Sequence, residues 1–324
     1  MTSAPQCQPL TDPEHIDAAA ALSLRSHAGL RHALPFLPSR SVDDLAGRLQ
    51  WMREKGELVG LFDGTELVAF LGAFPVDNFR NAGRGAFGPD WCSGFAPDAD
   101  PARALPLLYR DLAPRLVARD CRIHAFALYA SERVALQALH LAGFGRIVMD
   151  AARPTAEMLG DLEDAGPGSP SGIDVTPAQP ADADELARLE ADLAAHIAAP
   201  PVLMPNTVGR PAAMWARWLA GADHVALLAR HDGAAVGYIK AQEPQDDVTH
   251  AVHGPSVLAI NGMYVEPGMR RAGVGRGLLA ALARRARRDG AAMMSVDCET
   301  TNPEAYAFWS RWFSPVAWGL ERRV

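Results

Sequence analysis

Between Val257 and Arg276 the chain reads VLAINGMYVEPGMRRAGVGR, and here Arg270 and Arg271 precede Gly273, Gly275 and Arg276. A stretch with helical spacing follows, with Val274, Leu278, Leu279 and Leu282 on one face and Arg284, Arg285, Arg287 and Arg288 mostly on the other. The first N–H groups of a helix have no partner inside it and lie at its positive end. Glycine backbone lets an anion approach those groups, and arginines add charge. A phosphate-bearing ligand is the chemistry this pattern suits; the alternative on spacing alone is an ordinary helix start with a solvated basic face. It is not a P-loop, because Gly-Arg-Gly-Leu stands where Gly-Lys-Ser/Thr is required. It is not a dinucleotide turn either, since seven residues including Pro267 separate Val265 from Gly273. Further on, Asp297 and Glu299 alternate with Val296 and Cys298. A strand there points both carboxylates to one face and Cys298 to the other.

The elements that must hold these residues occur twice. A helical region (13–33 and 181–198) leads through a Pro-rich loop to a second helix, with Leu49, Trp51 and Met52 in one copy and Met214, Trp215 and Trp218 in the other. Trp215 and Trp218, three apart, read as core-facing residues. Hairpins then turn on Asp63-Gly64 and Asp232-Gly233, each flanked by alternating apolar residues. Pro97 and Pro267, and likewise Ala135 and Ala305, are separated by 170 positions (267 − 97 and 305 − 135). This offset predicts an internal duplication. Each half mixes helices and strands in an order that predicts an α+β fold, a mixed, mostly antiparallel sheet with helices on both faces. The stretch AGPGSPSG, Ala165–Gly172, is the linker signal.

Composition narrows the partners. A net charge of −7 argues against a large nucleic-acid footprint. No apolar run reaches the ~18 residues of a membrane span. MTSAPQCQPLTDPEH lacks the basic start and apolar run of a signal peptide. Cys7, Cys92, Cys121 and Cys298 show no paired spacing. No disulfide framework or zinc site is therefore expected, and a reducing, cytoplasmic setting fits. His250 and His253 read as solvated loop residues rather than a metal pair.

The order strand–V-x-P-x-x-R-x-x-G-x-G–helix, then strand–N-x-x-A-x-x-F-W, resembles the GNAT N-acetyltransferase superfamily. Arg270, Gly273 and Gly275 carry the first motif, and Asn302, Ala305, Phe308 and Trp309 the second. The resemblance covers residues ~173–324, and the first half matches in element order. It implies two tandem GNAT-like acyl-CoA N-acyltransferase domains: a degenerate domain over 1–155, a linker over 156–172 and an acetyltransferase domain over 173–324. It implies acetyl-CoA as cosubstrate. Backbone N–H groups of Arg271, Ala272, Gly273, Val274, Gly275 and Arg276 would grip its diphosphate. Its pantetheine arm would run beside Met263, Tyr264 and Val265, between strands that splay apart, and would touch Asn302. The family position of a tyrosine acid falls on Trp309. An indole is no practical proton donor at neutral pH, so Tyr306, Tyr264 or solvent takes that role. The family position of a carboxylate base falls on Asp297, with Glu299 as the alternative. Asn261, where some members carry a glutamate, cannot accept the proton.

The same offset puts Asp100, Arg103, Leu105 and Glu132 where Arg270, Gly273, Gly275 and Asn302 stand. A carboxylate and two side chains in place of glycines disfavour a phosphate ligand. The first half is therefore expected to have lost acetyl-CoA binding. The resemblance implies direct acetyl transfer to an amine, most simply of a small molecule, beneath the connection His196–Gly209. The contrasting reading, kept open by Trp309, is an acetyl-CoA-binding sensor or interaction module without turnover. The oligomeric state is not legible in the sequence.

Overall fold

Asp232 and Gly233 both adopt positive φ, 49° and 84°. This is the backbone of the two-residue turn whose twist suits antiparallel strands. The computed structural model describes residues 5–166, 172–204, 207–221, 223–245 and 248–324. In the first half the elements are β1 (Gln6–Pro9), α1 (Pro13–Ala33), α2 (Val42–Lys55), β2 (Glu57–Asp63), β3 (Glu66–Val76), β4 (Gly85–Gly88), β5 (Ser93–Phe95), α3 (Pro101–Ala118), β6 (Ile123–Tyr129), α4 (Arg133–Leu141) and β7 (Gly145–Pro154). Then follow α5 (Thr155–Asp164), β8 (Ile173–Pro177), α6 (Ala183–Ala198), α7 (Ala212–Leu219), β9 (Val225–His231), β10 (Ala234–Gln242), β11 (Val257–Val265), α8 (Val274–Arg288), β12 (Met293–Glu299), α9 (Pro303–Trp312) and β13 (Ser314–Arg323). The fold is mixed α+β, and the helix–helix–hairpin order recurs in both halves. No helix among the described residues is long and apolar enough to cross a membrane.

Two compact units divide the chain. One comprises Met1–Asp150, Thr249–Val252 and Pro315–Val324, the other Ala151–Val248 and His253–Ser314. In the first unit the strand order is β1-β2-β3-β4-β6-β13, with β5 also on β3. Its neighbours are antiparallel except β4 and β6. Helices α1 and α2 cover one face, where Ile16, Leu45, Leu49 and Met52 pack with Phe62, Phe70 and Trp91. Residues 315–324, placed with the second half by sequence, belong to this unit. β13 runs antiparallel to β6 from Ala317 opposite Tyr129 to Arg323 opposite Ile123.

His250, expected in a solvated loop, is buried in the first unit instead. Asp90, 2% exposed, accepts the N–H groups of His250 at 3.1 Å and Ala251 at 3.0 Å. Burying a carboxylate requires such donors. The segment expected to be linker begins as helix: α5 spans Thr155–Asp164 and buries Met158, Leu159 and Leu162. The rest of that expected linker, 167–171, lies outside the described residues, as do 205–206 of the loop expected over the acceptor.

In the second unit the order is β8-β9-β10-β11-β12, antiparallel except for β11 and β12. α8 buries Val274, Leu278, Leu279 and Leu282, the face that its spacing predicts. Each of the leucines contributes roughly 1.5–3 kcal/mol. Leu186 and Leu189 of α6 and Trp215 of α7 pack with Tyr238 and Tyr264. Under these helices Lys240 Nζ donates to Glu190 Oε1 at 2.6 Å, with side chains 8% and 12% exposed. Glu190 Oε2 accepts the Arg210 N–H at 2.8 Å, and the Lys240 ammonium lies 5.3 Å from the Trp215 ring centroid. Burial pushes the Lys240 pKa down, and Glu190 opposes that shift. Removing one partner of such a pair strands the other charge. Glu190→Ala is expected to cost about 3–5 kcal/mol in urea unfolding, and Glu190→Leu with Lys240→Met to recover most of it.

Candidate functional site

The parallel ladder between β11 and β12 covers only Val257–Ile260 against Met293–Val296. Both strands run on, β11 to Val265 and β12 to Glu299. Beyond Ile260 the β11 residues keep their register with β10 alone, Gly262 opposite Lys240 and Val265 opposite Gly237. The register slips between Lys240 and Ala241, so Asn261 is the extra residue of a bulge. A bulge bends its strand and re-aims the side chains beyond it. Among the described residues the edge of β11 that faces β12 thus has no ladder partner along Met263–Val265, which leaves a gap between the two strand ends.

The turn into α8 forms one end of that gap. Arg271 and Gly273 both have positive φ, 63° and 87°, and Gly273 is the N-cap. This alternation turns successive amides toward one concavity. Among the described residues the amides from Arg271 to Gly275 have no backbone acceptor, and the next to find one is Gly277, bonded to Gly273 O at 2.9 Å. Gly275 marks the closest approach. A Cβ there would lie 3.6 Å from Met263 Cε and from Phe308 Cε2, so a side chain would occupy the gap without striking backbone.

The arginines divide their work. Arg270 is tied down: its Nε donates to Val265 O at 3.1 Å and its Nη1 to Glu304 at 2.7 Å. It braces the turn against α9 rather than offering an unneutralised charge. Arg276 Nη1 donates to Ala165 O at 2.7 Å. Arg271 is exposed. Sequence reasoning misses Glu304. Its signal is a carboxylate in the first turn of a helix, which usually serves only the helix dipole.

Asn302 is buried and is the N-cap of α9, its Oδ1 accepting the Ala305 N–H at 3.2 Å. Its amide NH₂ is then the group that can face a ligand. Trp309 is 5% exposed and packs edge-on against Phe308 and Phe313, a core aromatic. Tyr306 is half-buried one turn earlier. Tyr264 is buried beneath α6 and α7 with Tyr238 and Trp215, and burial raises its pKa. Asp297 is exposed, Glu299 half-buried and Cys298 buried, the alternation expected of a strand. No group of His, Cys, Asp and Glu among the described residues could hold a metal ion.

The first unit has a corresponding parallel pair but not the free amides. β4 and β6 pair from Gly85–Gly88 to Ile123–Phe126, and β6 continues to Tyr129. At the start of α3, however, Pro101 has no N–H. Ala102 donates to Asp100 Oδ1 at 3.0 Å, and Arg103 and Ala104 donate to Asp100 O. The donors that a diphosphate needs are absent or engaged.

Glu132, the N-cap of α4, makes no side-chain cap bond. Burial raises its pKa to about 7, with Asp90 adding to the rise and bonds from Ser26 and the Tyr129 backbone opposing it. A carboxyl raised above its unfolded value keeps its proton longer in the folded state. It therefore stabilises the fold below about pH 4.5, and that contribution is lost as pH rises through about 7. Glu132→Gln should remove this dependence. Between pH 5 and 8 the stability of the variant relative to the parent is expected to rise by up to about 3 kcal/mol in parallel denaturant titrations.

Residues 195–313 match the model of the Acetyltransferase (GNAT) family. Among solved structures, a GCN5-related N-acetyltransferase from Sphaerobacter thermophilus superposes with TM-score 0.58 at 15% identity, covering 100% of this chain and 97% of that one. A tandem GNAT protein from the clavulanic acid biosynthesis pathway gives 0.51 at 15%, covering 98% of each. A glucosamine N-acetyltransferase region in a fungal multi-domain GH3 β-N-acetylglucosaminidase gives 0.55 at 11%, covering 99% of this chain and 38% of that one. No curated protein matches. Identities this low show shared fold and leave substrate to the site itself. Residues 195–313 thus carry the match to the GNAT family model, and the whole-chain superpositions show that the fold of both halves is similar to that of GNAT proteins, a tandem one among them.

Proposed function

We propose that the second unit transfers an acetyl group from acetyl-CoA to an amine, most simply of a small cytosolic molecule, by direct attack in a ternary complex. The observation that carries this reading is the run of amides from Arg271 to Gly275 without backbone acceptors, at the end of an unpaired strand edge. Acetyl-CoA supplies the electrophilic carbonyl carbon and the thiolate leaving group. The α8 turn would hold its diphosphate. Met263, Phe308 and the Asn302 amide would line its arm, and an amide of Met263–Val265 would stabilise the developing oxyanion.

In the transfer a C–N bond forms and the C–S bond breaks. Asp297, or Glu299 two residues on, accepts the proton that the amine loses. Trp309 gives the leaving sulfur no proton, so Tyr306 or solvent supplies it. The burial of Tyr264 under α6 and α7 favours Tyr306 between the two tyrosines.

Trp309 is also the observation behind a reading without turnover, in which acetyl-CoA is only bound. The test monitors CoA release with a thiol reagent over a panel of small amines, beside calorimetric titration of acetyl-CoA. Amine-dependent release supports transfer. Binding without release on any amine leaves a binding module, and absence of binding rejects both.

A further inference from the structure

The first unit contains a cavity of about 630 Å³, the size of a small-molecule site. Its walls are α1 at Arg25 and Ser26, the segment from Phe95 to Pro101, and the start of α4 at Ser131–Val134. This is the place, 170 residues earlier, of the gap beside Asn302 in the second unit. Its chemistry differs. Asn302 caps its helix, whereas Glu132 caps nothing and keeps Oε2 fully buried without a hydrogen-bond partner. Ser26 and the Tyr129 backbone bond to this carboxyl, so only its Oε2 is left in need of a donor.

Two guanidiniums, Arg25 and Arg133, line the same cavity, and neither pairs with a carboxylate among the described residues. Arginine forks match carboxylate geometry. One carboxyl and two guanidiniums in one cavity therefore suit a ligand with a nitrogen donor at one end and a carboxylate at the other. The apolar wall at Phe95, Pro97 and Val134 leaves room for a side chain. A diphosphate does not fit this pattern, because the amides at the start of α3 are engaged by Asp100 or missing.

We infer that this cavity binds a free amino acid or a similarly small amino carboxylic acid, its ammonium on Glu132 and its carboxylate on Arg25 and Arg133. The second copy of the fold would then keep a ligand site while exchanging a nucleotide for a zwitterion.

The test is isothermal titration of the full chain with each proteinogenic amino acid, with acetate and methylamine as single-group probes, and with acetyl-CoA. At least one amino acid is expected to bind one per chain, with acetate and methylamine about tenfold or more weaker. Glu132→Gln and Arg133→Ala should each weaken that amino acid about tenfold or more and leave acetyl-CoA binding unchanged. Arg133 is exposed, so its truncation leaves the fold intact and keeps the test interpretable if Glu132→Gln alters stability. The inference fails if no amino acid binds, or if acetate alone binds equally well. It also fails if both variants leave amino-acid affinity intact, or if acetyl-CoA occupies two sites per chain.

Discussion

Valine at Gly275 is expected to lower acetyl-CoA affinity by about a hundredfold while leaving the fold in place. The two effects separate because of where a Cβ would go. It meets Met263 and Phe308 at 3.6 Å, an ordinary contact distance. The added methyl groups, however, enter the space between β11 and α9 beside Met263 and Phe308, where the proposed function would run the pantetheine arm, and they would screen the amides at the start of α8. Substitution at Gly273 makes a poorer probe, since its φ of 87° strains any β-branched residue and confounds binding with folding. Circular dichroism with calorimetric titration of Gly275→Val decides the matter. A folded variant with unchanged affinity removes the α8 amides from cofactor binding and the proposed function with them.

Asparagine at Asp297 is expected to reduce kcat by about 10²–10⁴-fold with the acetyl-CoA dissociation constant unchanged. The side chain lies on β12 past the point where the β11 ladder ends, exposed on the face it shares with Glu299. The replacement keeps shape and removes proton-accepting power. Glu299→Gln, measured in parallel, should cost less. If the two results are exchanged, the base is Glu299. If neither variant slows transfer, no carboxylate on β12 takes the proton.

Local periodicity makes most elements legible. The Asp-Gly turns, the helix over 13–33 and the helix opening beside Gly273 are readable because each depends on residues within a few positions of one another. The bracing role of Arg270 is not, because its partner Glu304 lies 34 residues away in sequence and one short distance away in space. His250 reads as solvated for the same reason, its burial depending on Asp90, 160 residues earlier. Helix α5 does leave a signal, Met158, Leu159 and Leu162 at helical spacing. Gly160 and the Gly/Pro/Ser run after the helix mask it. The place of β13 has no local signal, because alternation identifies a strand but not its neighbour.

That last strand has a bearing on how the chain matures. Translation runs from the amino terminus, so β6 emerges from the ribosome about 190 residues before the segment that hydrogen-bonds along it. Throughout that interval its flank from Ile123 to Tyr129 is a bare template for foreign strands, the hazard that nascent-chain chaperones shield. Closure of the amino-terminal sheet on that side therefore waits for the synthesis of residues 317–323.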